Sequence, residues 1–330
     1  MQLAHSELKT FSTCKRKWFL SHYLKYGVLP DEASPVGKAP MGTRVHLCME
    51  AYYGYGLDPL AVLDWQYREE VALHPEWESE LVKEHKLATA MVEGYFDWAS
   101  DTGFDVGIDV VATEQQVSYD IADFTLIAKL DMTVQRELDG ATLFRDWKTV
   151  DTLTKADAVQ RDTQMRTYAL LRALTARGEG QRVDGGQYVM LRRSARTARA
   201  KPPFYGVAEV RYNRHDLNSV WQRTRAIGKE IVDTTAALDE GAPHHEWCYT
   251  SPGDHCAWAC IFRDVCPMAD DGSRLDDALA GNFSKIDPYA RYQDDAMERA
   301  LTALRPDPVT RQDFIQRSGS TSAPQVKGTA

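Results

Sequence analysis

Residues 141–150, ATLFRDWKTV, decide how the rest of the chain is interpreted. Their β-branched and aromatic side chains predict a strand, and Asp139-Gly140 just before them predicts a turn. Two earlier runs of the same character, VVATEQQVSYDI at 110–121 and FTLIAKLDMTVQ at 124–135, predict neighbouring strands of one sheet. Two later runs, GGQYVMLRR at 185–193 and YGVAEVRY at 205–212, predict two more strands.

Helical patterns surround these strands. Residues 6–26 place apolar and aromatic side chains at helical spacing, with Ser6 as the predicted N-cap. Further helices are predicted within 43–105, 156–175 and 216–238. Together these patterns predict an α/β fold, with a central mixed β-sheet flanked by helices and a helical N-terminal insertion at 43–105. Periodicity fades after residue 268, so 269–330 is interpreted as a C-terminal tail whose end, RSGSTSAPQVKGTA, is disordered.

Composition limits the classes of protein that fit. The 330 residues, 43% of them hydrophobic, can build one large core or two modest ones. A net charge of -9 opposes coating of nucleic acid by bulk charge, but it permits a local basic groove beside an acidic metal site. No stretch approaches the roughly 20 apolar residues of a membrane span, and no signal peptide is evident, so a cytoplasmic protein without a membrane partner is predicted. No phosphate-binding loop is present, so any helicase would be a separate partner.

Two strand ends carry a carboxylate-lysine set. Asp131 ends IAKLD and Asp146 lies in Asp-Trp-Lys, so antiparallel pairing would bring both carboxylates to one edge. Two hard oxygen ligands suit Mg²⁺ or Mn²⁺. Lys148, two residues past Asp146, projects to the same face, where a cation would stabilise the charge that develops in phosphodiester cleavage. An Asp-x-Lys triplet alone is expected by chance about once in a chain this long, and the alternative is a solvated strand end.

The order of the polar motifs is more specific than any one of them. Five polar motifs occur in this order along the chain: His46 in GTRVH, Glu114 in VATEQ, Asp131, Asp146-Trp147-Lys148, and then Gln164 and Tyr168 on the next helix. Over residues 3–268 this order resembles the RecB-like branch of the PD-(D/E)xK nuclease superfamily, and more closely its compact CRISPR-associated and phage-encoded exonucleases. The family pattern Gly-x-x-x-His, Gly-x-x-Asp, Asp-x-Lys-Thr and Gln-x-x-x-Tyr matches 42–46, 128–131, 146–149 and 164–168. Ala128 stands where the family has glycine, which leaves the local backbone geometry open.

The resemblance implies a metal-dependent DNA exonuclease with a restriction-endonuclease-like core in residues 1–268. It implies four metal-binding groups: His46, Asp131, Asp146 and the backbone carbonyl of Trp147. Lys148 would orient or activate the attacking water, and Gln164 and Tyr168, on one helical face, would hold the DNA strand. Glu114 is a secondary candidate metal ligand. The alternative interpretation is that Glu114 is a solvent-facing residue of its strand.

Three cysteines lie close together near the end of the matched region: Cys256, Cys260 and Cys266. In a reducing compartment such clusters are metal ligands rather than disulfides. Iron-sulfur members of the family take a fourth cysteine from the N-terminal helix, and Cys14 in STCKRKWF fits that pattern. The resemblance therefore implies a [4Fe-4S] cluster in a cap formed by 1–26 and 247–268, although the first spacing exceeds the family's by one residue. Zinc is the alternative, with a fourth ligand from His255, Cys248 or Cys14, and Cys48 is interpreted as a core residue.

A basic loop joins the last two predicted strands, with five cations and no acid among them: Arg192, Arg193, Arg196, Arg199 and Lys201. Such a loop can track DNA phosphates, and the alternative is a solvated hairpin tip. The functional prediction is exonuclease cleavage, with single-stranded DNA ends as the substrate, in recombination, repair, replication or phage DNA processing, with a helicase or recombination partner. Two alternatives stay open: a non-catalytic DNA-binding adaptor with a nuclease-like fold, and a zinc-stabilised binding module.

Overall fold

A computed structural model of the protein describes residues 1–29, 33–178, 184–292 and 295–304. Its strands are β1 (Gln2–Ala4), β2 (Tyr26–Val28), β3 (Ile108–Ile121), β4 (Phe124–Arg136), β5 (Thr142–Val150), β6 (Gly185–Arg192), β7 (Tyr205–Val210) and β8 (Phe283–Lys285). Six of them form one sheet in the order β1-β4-β5-β6-β7, with β3 also paired to β4, whereas β2 and β8 form a separate antiparallel pair. The β1-β4 and β5-β6 pairs are parallel and the others antiparallel, which confirms the predicted mixed sheet.

The described segments also contain twelve α-helices, some of which pack on the two faces of this sheet. They are α1 (His5–Thr13), α2 (Lys15–Trp18), α3 (Lys38–Glu50), α4 (Pro59–Leu73), α5 (Glu78–Thr102), α6 (Ala156–Val159), α7 (Thr163–Gly178), α8 (Arg214–Asp239), α9 (His244–Trp247), α10 (Asp254–Trp258), α11 (Leu275–Asn282) and α12 (Ala296–Leu304). Short π-helical turns follow α2 and α3. Among the helices of the described segments, none has the length and apolar character needed to cross a lipid bilayer.

The two faces of the sheet belong to two hydrophobic cores. The first core packs β-strand residues such as Phe144 against α1, α7 and α8, and the second packs residues such as Trp147 against α3 and α5. Alternate side chains of a strand point to opposite faces, so Phe144 and Trp147 of the same strand pack in different cores. This arrangement confirms the predicted α/β class with helices flanking the sheet.

A tight turn connects β4 to β5, as Asp139-Gly140 predicts. Gly140 has a positive φ of 65°, a conformation that glycine adopts without steric cost. Asp139 Oδ1 accepts hydrogen bonds from the backbone N–H of Ala141 at 3.2 Å and from Arg136 Nε at 2.9 Å. The turn therefore aligns the two strands that carry the predicted carboxylates.

One edge of β4 is only partly paired, and this gap positions the candidate site. Along this edge β1 pairs with residues up to Ile127, and β5 pairs from Met132 onward, while β3 follows the other edge. Within the described chain, no strand pairs with this edge at residues 128–131. The strand also rotates there, because Leu130 packs in the first core and Met132 in the second although both have the same parity.

Three helical predictions differ from the structure in detail. The predicted first helix is interrupted at Cys14, whose extended backbone (φ -160°) separates α1 from α2. It begins at His5 after Ala4, so Ser6 lies inside the first turn rather than at the N-cap. The segment predicted at 156–175 forms two helices, α6 and α7.

The segment after residue 268 is more ordered than its weak periodicity predicts. It forms α11, β8 and α12, and Met297 and Ala300 of α12 pack against Trp65 of α4. Tyr289 donates a hydrogen bond to Glu7 of α1, which connects this segment to the N-terminus. These helices are short, so tertiary packing rather than a long apolar pattern stabilises them. The predicted disordered end at 317–330 lies outside the described residues.

We expect Gly228→Ala to destabilise the fold, because α8 crosses β4 there at close range. A Cβ atom on Gly228 would lie 2.2 Å from ring carbons of Phe124. Overpacking of this kind lowers the free energy of unfolding by about 1–3 kcal/mol, measurable by urea denaturation. The matched control is Gly281→Ala in α11, where nothing lies within 4 Å of the new methyl group. That variant should gain up to about 1 kcal/mol from helix propensity, and equal stability of the two variants would contradict the packing argument.

Candidate active site

Strand β5 presents Asp146 and Lys148 on one face. Lys148 Nζ lies 2.8 Å from Oδ1 and 2.7 Å from Oδ2 of Asp146, and Asp146 is fully buried. Across the gap in the sheet, Asp131 Oδ2 accepts a hydrogen bond of 2.9 Å from the backbone N–H of Trp147. The side chain of Asp131 thus takes the place of a backbone acceptor where β4 and β5 separate. The two carboxylates and the lysine of the sequence prediction therefore line one cleft.

Two further side chains reach this cleft from outside β4 and β5. Helix α3 contributes His46, whose Nδ1 lies 3.4 Å from Asp131 Oδ2. Strand β3 contributes Glu114, and one potential ligand atom each of His46, Glu114 and Asp131 lie within 4.8 Å of one another. A small divalent cation with ligands at roughly 2.1 Å joins donors that are up to about 4.2 Å apart. This nitrogen-and-carboxylate set therefore fits one such cation after small side-chain movements.

Glu114 adopts a backbone conformation that is unusual for a residue other than glycine. Its φ is 47°, and it lies in β3 between Thr113, which pairs with Met132, and Gln115, which pairs with Leu130. Only 15% of its side chain is exposed, and its carboxylate forms a 2.8 Å ion pair with Lys129. A strained conformation of this kind costs on the order of 1 kcal/mol and persists where the surrounding structure enforces it. The side chain consequently faces the cleft rather than solvent.

Burial and mutual charge shift the protonation of the site. Burial alone would lower the pKa of His46, but the charge of Asp131 and its hydrogen bond raise that pKa to about 9. Burial raises the pKa of Asp146 to about 6 despite the neighbouring Lys148. Burial opposes the ionised form of Asp131 too, yet the charges of His46 and Lys148 hold its pKa below the usual value. At neutral pH, two carboxylates therefore face a protonated imidazole and an ammonium group.

Helix α7 places Gln164 and Tyr168 beside the carboxylates. Gln164 Nε2 donates a 2.8 Å hydrogen bond to Tyr168 Oη, as the i, i+4 spacing allows. Burial, followed by the charges of Asp146 and Asp131, raises the pKa of Tyr168. The hydroxyl group therefore stays protonated next to the cleft.

A buried polar network supports β5 from the opposite face. Arg145 is 1% exposed, and its Nη1 donates to Asp105 Oδ1 at 2.6 Å. Asp105 also accepts a 2.5 Å hydrogen bond from Tyr53, whose hydroxyl lies 3.0 Å from that of Tyr95. The indole Nε1 of Trp147 donates to Tyr95 Oη at 3.4 Å. The two residues that alternate with Asp146 and Lys148 are thus fixed in the helical layer.

Sequence reasoning missed two neighbours of the site. Lys129 lies two residues before Asp131, and strand periodicity in IAKLD places both on one face, so the pattern itself contained this information. Tyr188 pairs in register with Asp146 on the parallel strand β6, and its pKa is raised by burial and by the charge of Asp146, although the charge of Lys148 opposes this shift. No local pattern reveals that proximity, because it depends on a parallel pairing of segments 42 residues apart.

The four cysteines predicted as ligands line one cavity of about 300 Å³: Cys14, Cys256, Cys260 and Cys266. Burial raises the pKa of Cys266, and the neighbouring thiols of Cys14 and Cys260 raise it further. The charge of Arg16 opposes this shift without cancelling it. Arg16 connects the N-terminal segment to this region, because its guanidinium donates to the backbone carbonyl of Cys248 at 2.7 Å and to Asp270 at 2.8 Å. Cys48 packs in the second core, as predicted.

The basic loop between β6 and β7 is partly folded back onto the protein. The guanidinium of Arg196 stacks over the ring of Phe204 at 3.9 Å and donates to Tyr205. Arg193 pairs with Asp151 at 2.8 Å. Arg192 donates to the backbone carbonyl of Lys201 at 3.2 Å, whereas the side chains of Arg199 and Lys201 are exposed. The five cations are therefore not equivalent.

We expect His46 to make the stability of the metal-free protein depend on pH. Its pKa is about 9 in the folded protein against 6.5 for an unperturbed histidine. The stabilisation by protonated His46 is therefore complete below pH 6.5 and is lost as the pH rises through about 9. The advantage of wild type over His46→Gln in EDTA should shrink by on the order of 1 kcal/mol from about pH 6 to about pH 10. Urea unfolding measures this difference, and a constant difference would contradict the ion pair with Asp131.

Comparison with known proteins agrees with this geometry. A family model of the PD-(D/E)XK nuclease superfamily matches residues 2–267, which extend from β1 through the cysteine-rich segment. Among curated proteins, none matches the chain. Nucleases of this superfamily use divalent metal ions, and the group of His46, Glu114 and Asp131 suits such an ion. The match covers most of the chain, and the chain belongs to the PD-(D/E)XK nuclease superfamily.

Proposed function

We propose that this nuclease is a metal-dependent DNA exonuclease of the RecB-like kind that acts on single-stranded ends. The observation that carries the proposal is the cleft in which His46, Glu114 and Asp131 meet beside the Asp146-Lys148 pair. The side chains of His46 and Lys148 are 30% and 26% exposed, so the site reaches the protein surface beside its buried carboxylates. The proposed pathways for this activity are DNA recombination, repair, replication and phage DNA processing.

The proposed cofactor is Mg²⁺ or Mn²⁺. Four groups would hold it: His46, Asp131, Asp146 and the backbone carbonyl of Trp147, with Glu114 as a further ligand. Carboxylate oxygens are the donors these cations prefer, and a single imidazole is compatible with Mn²⁺. When bound, the ion would polarise a phosphoryl oxygen and lower the pKa of the attacking water.

The remaining side chains would act on the water and the DNA strand. Lys148 stays protonated, because the charges of Asp146 and Asp131 outweigh the effect of burial on its pKa. It would orient the water and stabilise negative charge on the phosphate in the transition state. The protonated hydroxyl of Tyr168 and the amide of Gln164 would donate hydrogen bonds to the strand next to the cleaved bond.

Asp146→Asn is expected to reduce cleavage by about 100-fold or more, because it removes a charged ligand without changing the size of the side chain. The assay measures Mn²⁺-dependent release of nucleotides from single-stranded oligonucleotides labelled at either end. The control is Asp157→Asn, an exposed carboxylate of α6 paired with Arg161.

Retained cleavage in Asp146→Asn would refute the assigned site. A circular single strand should resist the wild type, and its degradation would show endonuclease rather than exonuclease action. DNA binding by the wild type without any cleavage in Mg²⁺ or Mn²⁺ would favour the adaptor function.

We further propose a [4Fe-4S] cluster at the cysteine cavity, in a cap built from residues 1–26 and 247–268. Cys14 and the three later cysteines are among the residues that line this cavity of about 300 Å³, so four thiolates face one space that can accept a multinuclear cluster. A tetrahedral zinc site is the alternative, and His255, which also lines the cavity, would then supply a ligand. A cluster here would join segments about 240 residues apart, so it would restrict the unfolded chain strongly.

Cys14→Ala should lose most of the iron and sulfide, about four of each per chain, and lower the unfolding temperature by about 5 °C or more. Anaerobic purification, metal analysis and calorimetry measure both effects. Cys48→Ala is the matched control, since Cys48 is buried in the second core away from the cavity. Zinc without iron in the wild type would contradict the cluster and favour a zinc-stabilised module.

The domain and partner assignments belong to the same proposal. Residues 1–268 would form the nuclease domain, with 43–105 as its helical insertion and 269–330 as the tail. The basic loop would follow the DNA backbone with its five cations: Arg192, Arg193, Arg196, Arg199 and Lys201. A cytoplasmic location and a helicase or recombination partner stay predictions.

A further inference from the structure

One carboxylate just beyond β5 is shared by two cations. Asp151 Oδ2 lies 2.5 Å from Lys38 Nζ, and Asp151 Oδ1 lies 2.8 Å from Nη2 and 3.2 Å from Nε of Arg193. The side chains of Lys38 and Asp151 are 75% and 52% exposed, whereas Arg193 is 16% exposed. The group carries a net positive charge at the protein surface.

This group lies at the end of the catalytic cleft. Asp151 directly follows the strand that carries Asp146 and Lys148, and the backbone N–H of Arg193 donates to the carbonyl of Val150 at 2.7 Å. Lys38 begins α3, the helix that carries His46 two turns later. Eight residues of helix span about 12 Å, so Lys38 lies roughly that far from His46 along the helix axis.

Helix α3 also follows β5 between these two points. A Cβ atom on Gly42 would lie 3.7 Å from Thr149 Oγ1, so the helix passes close to the strand midway between His46 and Lys38. A DNA backbone that enters the cleft along β5 would therefore pass from the carboxylates to the cations of Lys38 and Arg193.

We infer that Lys38 and Arg193 form a second phosphate-binding subsite for the DNA substrate, in which the Asp151 carboxylate occupies the anion position until a phosphate displaces it. This inference rests on the proposed function. The guanidinium of Arg193 directs both Nε–H and Nη2–H at one carboxylate oxygen, an arrangement that a phosphate oxygen satisfies equally well. Asp151 thereby keeps both cations oriented in the free protein.

The energetics favour exchange of the anion. Exposed ion pairs contribute only about 0–1 kcal/mol to stability, so the exposed pair of Asp151 with Lys38 is weak enough to yield. The function of the Asp151 pairs would be regulatory: the carboxylate lowers affinity for non-substrate anions and for DNA that does not reach the cleft. If Asp151 competes with phosphate, its removal should therefore increase the affinity for DNA. If its ion pairs only stabilise the local structure, its removal should not increase that affinity.

The test compares Asp151→Asn and Lys38→Met with wild type. Fluorescence anisotropy of a labelled 20-residue oligothymidylate in EDTA measures binding without cleavage. Asp151→Asn should tighten binding by about two- to fivefold at low salt, and Lys38→Met should weaken it by a similar factor. The slope of log affinity against log salt should become shallower by about 0.7 in Lys38→Met, as expected for one lost phosphate contact to a single strand.

Asp233→Asn is the matched control, because Asp233 forms an exposed pair of 2.8 Å with Lys229 on α8. If Asp151→Asn binds DNA no more tightly than this control does, the subsite is overturned. Asp151 then only stabilises the local structure through its ion pairs. If circular dichroism shows that Asp151→Asn has lost its fold, Lys38→Met decides alone: an unchanged affinity and salt slope would overturn the inference.

Mn²⁺-dependent cleavage by the wild type is measured in parallel. Its absence would refute the proposed function, whereas cleavage with unaltered binding in both variants would refute only the subsite.

Discussion

The hydrogen bond from the backbone of Trp147 to the carboxylate of Asp131 is the constraint on which the site depends. Elsewhere in the sheet, backbone groups satisfy one another across paired strands. At residues 128–131 this edge of β4 has no partner strand in the described chain, so a side chain supplies the acceptor that β5 needs. A buried N–H without an acceptor costs about 1–3 kcal/mol, so the opening of the cleft is stable only because Asp131 fills this role.

The side chains of β5 alternate between the candidate active site and the packed helical layer. Asp146 and Lys148 face the cleft, and Arg145 and Trp147 face the helical layer, where Asp105, Tyr53 and Tyr95 bind them. A fully buried arginine is tolerable only when its charge and donors are satisfied, which Asp105 and Gln187 achieve. Because Asp105 lies just before β3 and Tyr53 just after α3, this network also fixes the elements that carry Glu114 and His46. The precise separation of the site residues therefore depends on groups that never face the cleft.

Local pattern and motif order predicted the parts of the fold that depend on neighbours in sequence. Five strands of the main sheet, the Asp139-Gly140 turn and the shared face of Asp146 and Lys148 follow from periodicity and turn chemistry, whereas the three-residue strands β1, β2 and β8 were not predicted. The gap in β4, the parallel partner Tyr188 and the positive φ of Glu114 depend on long-range pairing, which no local pattern encodes. Ala128 illustrates the limit of the family pattern: it lies in regular pairing with Val117 and is buried in the first core, so this strand needs no glycine there.

Helix α1 connects the cysteine cavity to the cleft. It begins at His5, directly after the strand that pairs with β4 next to the gap, and it ends before Cys14 at the cavity. At its first residue, His5 Nε2 lies 3.0 Å from Thr163 Oγ1, next to Gln164 on α7. Glu7, two residues further, accepts hydrogen bonds from Trp18 and Tyr289, so both the N-terminal segment and the segment after residue 268 converge on this helix. A cross-link at Cys14 would therefore hold α1, and through it the side of the cleft formed by α7, in a fixed position relative to the carboxylates of β4 and β5.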